Sequence, residues 1–135
     1  MPLIVGALLA LGIGLLATLT GLGRERGFYP TLVIVIASYY VLFAVETMSM
    51  ATVVVECAGL VLFAGVALGG FKGNLWLVVA ALATHGLFDL LHPQIVANPG
   101  VPTWWPPFCL AFDVAAAAYL AWLLASARLR THAGG

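Results

Sequence analysis

The sequence predicts an all-α, polytopic membrane protein: a single bundle of five transmembrane helices. Of its 135 residues, 64% are hydrophobic and 7% are charged, and the mean hydropathy is +1.13. Five apolar stretches each approach the roughly 20 residues that cross a bilayer as a helix. A soluble domain carries about 25% charged residues, so the composition excludes soluble enzymes, nucleic-acid-binding proteins and disordered chains.

Short connections separate the predicted helices. The first helix ends at the charged, glycine-rich stretch 21–27, and the second begins near Pro30, since proline is favourable in a first turn. No glycine or proline separates the second helix from the third. A single helix over residues 31–68 would be roughly 57 Å long, so we predict a tight turn at 47–50. The fourth helix is expected to end before Pro93, which cannot continue a helix normally. The helices comprise residues 3–22, 30–48, 50–69, 74–92 and 106–127 of one domain, 1–135.

All the basic residues fall at one predicted end of the bundle. They are Arg24, Arg26, Lys72, Arg128 and Arg130. The positive-inside rule makes that end cytoplasmic, which places the N-terminus outside and the C-terminus inside, and we expect a bacterial inner membrane. The N-terminal apolar stretch lacks a preceding positive region and is longer than a signal-peptide core, so it predicts a membrane helix.

Ionisable side chains converge in the outer half of this predicted bundle. His85, Asp89 and His92 are spaced by four and three residues and therefore share one helix face. Counting inward at about 1.5 Å per residue places Glu56, His85 and Asp113 roughly 10 Å inside the outer boundary. His92 and Glu46 lie near that boundary, and Asp89 is somewhat deeper than they are. Four helices therefore contribute carboxylate or imidazole groups to one outer layer of the bundle. Ionisable residues inside a membrane are costly and are usually functional.

A divalent metal ion would offset the repulsion between these carboxylates. Histidine together with carboxylates suits zinc, iron or manganese, and helical bundles build such sites from inward-facing Glu and His, often spaced Glu-x-x-His. Asp89 and His92 have the same spacing. The predicted core ligands are His85, Asp89, His92, Glu56 and Asp113, with Glu46 as an auxiliary ligand. A proton-relay cluster and a structural hydrogen-bond network are the alternatives for the same side chains.

Sulfur-containing and aromatic residues near the predicted ligands suggest further roles. Met48, Met50, Cys57 and Cys109 are soft groups that with His92 could bind copper, although buried cysteines more often act as small hydrophobes. Tyr39 lies one heptad before Glu46 and is expected to face the cluster. Trp104 and Trp105 predict an interfacial aromatic belt or part of a lid.

Three functions are compatible with these residues. As an enzyme, the protein would use metal-activated water or oxygen on a lipid-soluble substrate reached from the outer leaflet. The alternatives are an accessory subunit of a larger membrane complex and a module that translocates protons or ions. The expected partners are the lipid bilayer and either a second copy in a homodimer or a larger complex. No nucleic acid is expected, because the chain has no basic stripe.

The last third of the chain also carries a recognisable pattern. His85-x-x-x-Asp89-x-x-His92 precedes a predicted helix with Cys109 four residues before Asp113. This pattern resembles a family of small bacterial and fungal integral membrane proteins of unknown function. The sequence departs from the family at Pro93, where a second consecutive histidine is expected. The resemblance implies a shared site at His85, Asp89, His92 and Asp113, and it implies no particular activity.

Overall fold

The computed structural model describes residues 1–134 as an all-helical bundle. All five helices are long and apolar enough to cross a membrane, so the predicted five-helix fold is confirmed and the chain is a multi-pass integral membrane protein. The helices are α1 (Pro2–Thr20), α2 (Phe28–Glu46), α3 (Met50–Lys72), α4 (Trp76–Ile95) and α5 (Trp105–Ala125). Their ends differ from the predicted ends by at most three residues.

The expectation that the fourth helix ends before Pro93 is wrong. α4 continues through Pro93 to Ile95, and the N–H of Val96 donates to the carbonyl of His92 at 2.9 Å. Pro93 has no N–H to donate to the carbonyl of Asp89, four residues earlier. The last turn of a helix already contains carbonyls without intrahelical partners, so a proline there disturbs the helix less than one in its middle.

The predicted tight turn between the second and third helices is present. Met48 adopts a left-handed backbone conformation with φ of 56°, which reverses the chain between α2 and α3. Ser49 is the N-cap of α3, and its side chain accepts a hydrogen bond from the N–H of Thr52 at 3.3 Å. The serine thus satisfies one of the free N–H groups at the start of the helix.

The helices pack as two groups joined by α4. α5 lies against both α1 and α4, while α2 packs on α3, and α4 also contacts α3 and α2. The backbone of α2 approaches α1 and α5 less closely. The polar residues of α4 therefore lie at the centre of the bundle, next to α5 on one side and to α2 and α3 on the other.

The end of the bundle that carries the basic residues is called here the basic end. Arg26 connects the segments that meet there. Its guanidinium donates to the carbonyls of Gly70, Phe71 and Gly73, at the end of α3, and to those of Arg130 and Thr131 in the C-terminal tail. The carbonyls of Gly70 and Phe71 belong to the last turn of α3, where carbonyls lack intrahelical partners. The opposite end, called here the neutral end, carries the α2–α3 turn and the loop between α4 and α5.

A glycine allows α1 and α5 to approach closely. A Cβ atom placed on Gly6 would collide with the backbone carbonyl of Phe108 in α5. Gly12, on the same helix, has open space around it. Small residues that permit close backbone approach are a common means of helix association in membranes.

We expect Gly6→Ala to destabilise the bundle by about 1–3 kcal/mol, because the added methyl group must push α1 away from α5. Gly12→Ala adds the same methyl group without a collision and should be neutral or stabilising by up to about 1 kcal/mol. Thermal unfolding in detergent measures both changes. Equal melting temperatures for the two variants would contradict the close contact.

Candidate metal centre

α4 directs three ionisable side chains to the inside of the bundle. His85, Asp89 and His92 are each no more than 1% exposed, as their shared helix face predicts. Gly86 permits α5 to lie alongside, since a Cβ at this position would meet the side chain of Asp113 at 3.3 Å. α4 and α5 together therefore position most of the site.

Four of the buried side chains form one compact group, called here the four-residue cluster: His85, Asp89, Cys109 and Asp113. One ligand atom from each lies within 4.8 Å of the others. His85 Nδ1 lies 2.7 Å from Asp113 Oδ2 and 3.5 Å from Asp89 Oδ2, and Cys109 Sγ is 3.9 Å from Asp113 Oδ2. None of the four is more than 2% exposed. Imidazole, thiol and carboxylate are the three groups that zinc binds in proteins.

Two carboxylate oxygens of the cluster lack hydrogen-bond partners within the described chain. They are Asp89 Oδ2 and Asp113 Oδ1, and both are buried. The 3.5 Å separation between Asp89 Oδ2 and His85 Nδ1 does not satisfy the first of them, because the nearer Asp113 takes that nitrogen at 2.7 Å. Buried polar atoms normally have a partner. Two such acceptors in one cluster therefore leave coordination positions available for a cation.

Tyr40 connects this cluster to α2. Its hydroxyl donates to Asp89 Oδ1 at 2.6 Å, and its ring stacks on His92 with 4.0 Å between centroids. The expectation that Tyr39 faces the cluster is wrong. Tyr39 is 38% exposed and packs instead against Trp105. α2 is apolar on all sides, so the sequence contains no periodicity that could decide which of the two tyrosines faces inward.

Glu56 and His92 form a second buried group beside the cluster. His92 Nε2 lies 2.7 Å from Glu56 Oε1, and Asn98 donates to the same oxygen at 2.8 Å. The Asn98 amide also donates to the backbone carbonyl of Tyr40 at 3.2 Å. Sequence reasoning did not identify Asn98, whose only signal is an amide side chain in an otherwise apolar, proline-rich loop.

The predicted ligands thus fall into three sets. The structure brings together His85, Asp89 and Asp113 and adds Cys109, while Glu56 and His92 bind each other in the adjacent pair. Glu46 is exposed at the last residue of α2 and lies in neither group. Cys57 is half-buried on α3, and Met48 and Met50 are exposed, so Cys109 is the soft ligand that joins the cluster.

Aromatic rings and one pocket border these buried groups. Phe63 meets the His85 ring edge-on at 4.6 Å between centroids, and Phe88 packs against both His85 and His92. A pocket of about 600 Å³ at the neutral end is lined by His92 and by the loop between α4 and α5. Of the buried ionisable side chains in the described part of the chain, His92 is the one that borders this pocket.

Comparison of the chain with protein families, with curated proteins and with solved structures finds no match.

Proposed function

We propose that this protein is an integral membrane metalloprotein in which the four-residue cluster binds one divalent ion. The observation that carries the proposal is the pair of buried carboxylate oxygens without partners, Asp89 Oδ2 and Asp113 Oδ1, in a group whose four ligand atoms lie within 4.8 Å. A divalent cation would supply the positive charge that two adjacent buried carboxylates require.

The ligand set favours zinc. One imidazole, one thiolate and two carboxylates give four ligands of the kinds that zinc accepts, and a thiolate is a poor ligand for magnesium or calcium. Iron and manganese share the histidine and carboxylate preference, and copper would use the thiolate. When bound, such an ion acts as a Lewis acid or activates water, and iron, manganese or copper would add redox chemistry.

The pair of His92 and Glu56 suits a proton-transfer role in an enzyme of this kind. His92 lines the pocket at the neutral end and is bonded to Glu56 at 2.7 Å. Glu56, which accepts a hydrogen bond from Asn98, fixes the orientation of the imidazole, which is how a general base is positioned. In this proposal the pair accepts a proton from the reacting centre and passes it to the pocket.

One observation favours a proton relay as a second candidate function. Tyr40, Asp89, His85 and Asp113 form a nearly continuous series of short contacts, with two hydrogen bonds of 2.6 and 2.7 Å. Such a series can carry protons without a metal ion. A chelator distinguishes the two functions, because it should change the melting of a metalloprotein and leave that of a metal-free proton relay unchanged.

We further propose that the neutral end faces the outside and the basic end the cytoplasm of a bacterial inner membrane, following the positive-inside rule. Single cysteines at the exposed positions Thr103 and Ser126, one at each end, test this orientation. A membrane-impermeant thiol reagent applied to intact cells should label the first and not the second. Labelling of the Ser126 position alone would reverse the orientation.

Cobalt substitution tests the ligand set. Co²⁺ bound in the cluster should show a near-ultraviolet charge-transfer band from the thiolate of Cys109, since Co²⁺ occupies zinc sites and a coordinating thiol is deprotonated. Cys109→Ser should abolish the band while the protein remains folded. Cys57→Ser is the matched control and should leave the band unchanged. A band that is lost in the Cys57 variant and kept in the Cys109 variant would contradict the proposed site.

A further inference from the structure

A second cavity approaches the four-residue cluster from the side of the bundle. It is a cleft of about 280 Å³ between α1, α2 and α5, and Cys109 forms part of its wall. Its other lining residues are apolar or aromatic. The cleft exists because the backbone of α2 does not approach α1 and α5 closely.

The cleft is open to the bilayer. Leu9 and Val35, which line it, are 45% and 46% exposed on helices that span the membrane. Those exposed faces lie within the hydrocarbon region of a spanning helix. A molecule that enters there is apolar over most of its surface, because the lining offers few polar groups.

One polar atom of the lining residues indicates which functional group a molecule in the cleft would carry. Trp105 lines the cleft and is 8% exposed, and its Nε1 has no hydrogen-bond partner among residues 1–134. A buried indole N–H usually finds an acceptor. Indole nitrogen only donates. The missing partner is therefore an acceptor, such as a carbonyl oxygen.

The position of Trp105 relates this acceptor to the cluster. Trp105, Cys109 and Asp113 follow one another at intervals of four residues on one face of α5, and each interval is about 6 Å along the helix. Trp105 and Cys109 thus border the same cleft about one helical turn apart. An occupant that reaches from one to the other lies beside Cys109, the cluster residue in the wall of the cleft.

We propose that the α1/α2/α5 cleft binds a lipid-soluble carbonyl compound, whose oxygen accepts a hydrogen bond from Trp105 and whose apolar body lies beside Cys109. This inference names the substrate class for the proposed metalloprotein, and its catalytic meaning rests on that function. Binding in the cleft itself requires no metal, which allows the two to be tested separately.

The test uses the full chain in lipid nanodiscs after removal of metal with a chelator. The probe is benzophenone, an apolar diaryl ketone that inserts into neighbouring C–H bonds under near-ultraviolet light. We expect the crosslinks, mapped by mass spectrometry of peptides, to fall on residues 9–13, 32–39 and 105–112, which line the cleft. An excess of 2-dodecanone should reduce the crosslinking, whereas the same excess of n-dodecane, which has no oxygen, should not.

Two variants, each with a matched control, test separately the N–H donor of Trp105 and the space in the cleft. Trp105→Phe keeps an aromatic ring but lacks the N–H, and should weaken competition by 2-dodecanone about tenfold, the loss expected for one hydrogen bond. Trp104→Phe, at the exposed neighbouring position, should not. Val35→Trp fills the cleft and should abolish crosslinking. Val61→Trp, at a 71% exposed position on α3, should leave it unchanged.

Three results would overturn the proposal: crosslinks outside the cleft, equal competition by the ketone and the alkane, or undiminished competition in Trp105→Phe. Each is measured on metal-free protein. A wild-type protein that binds no metal but shows the expected crosslinking would therefore refute the metal centre and leave the carbonyl-binding cleft intact. A protein that binds metal but shows none of the expected crosslinking would refute the cleft and leave the metal centre intact.

Discussion

Asp89→Asn is expected to weaken metal binding by more than the roughly 10- to 100-fold that loss of a ligand's hydrogen-bond partner costs. The amide preserves the shape of Asp89 but removes its negative charge and one of the two unpartnered oxygens. At a metal concentration about 100 times the wild-type Kd, bound metal stabilises the wild type by about 2.7 kcal/mol, and a 100-fold weaker variant gains only about 0.4 kcal/mol.

Removal of the metal by a chelator should reverse which of the two proteins, the wild type or Asp89→Asn, is the more stable. Without metal, Asp89 is a buried carboxylate close to Asp113, so its replacement by a neutral amide is expected to leave the bundle as stable as the wild type or more so. Melting curves of both proteins, with zinc and after chelation, measure this crossover. Glu46→Gln makes the same chemical change at an exposed carboxylate and should alter neither curve. A wild type whose melting ignores the chelator, with a variant that melts at or above it, would contradict the metal site.

His85→Ala is expected to have the largest effect on the folded protein. It removes the only imidazole of the four-residue cluster and leaves Asp113 Oδ2 without its partner at 2.7 Å. Removing one member of a buried charged pair typically costs about 3–5 kcal/mol, and metal binding should be lost as well. Thr84→Ala, at the exposed adjacent position, is the matched control and should melt and bind metal like the wild type.

Imidazole supplied in solution separates loss of the ligand from misfolding. If His85→Ala still folds, the space left by its side chain should admit free imidazole, and zinc binding should return as imidazole is added. The binding of zinc can be followed by equilibrium dialysis. A variant that binds zinc as tightly as the wild type without imidazole would exclude His85 from the ligand set.

The fold could be predicted from the sequence because the bilayer imposes strong constraints. Helix number follows from the lengths of the apolar stretches, and the turn near Met48 follows from the bilayer thickness, since a single helix over 31–68 could not fit. The end of α4 was missed because the cost of a proline depends on its position in the helix. Pro93 falls in the last turn, where little backbone hydrogen bonding remains to be lost.

Only part of the candidate site could be predicted, because the sequence indicates the depth of a residue in the membrane but not the rotation of its helix. Depth along each helix can be counted from the sequence, and this count places Glu56, His85 and Asp113 at one level, with Asp89 nearer to the outer end. Rotation of a helix about its axis cannot be read from a segment that is apolar on every side. The sequence therefore could not show that Tyr40 rather than Tyr39 faces Asp89, or that Glu46 points outward. Cys109 shares a face with Asp113, but a buried thiol is more often a packing group than a ligand.

The metal content of the purified protein tests the central claim most directly. We expect elemental analysis of the wild type, purified in mild detergent without chelator, to find about one zinc, iron, manganese or copper ion per chain, as for a site with a single set of four ligands. Asp113→Asn, prepared in parallel, should contain little or none. A wild type that is folded and metal-free, and whose melting does not change when each of these four metals is added, would contradict the account.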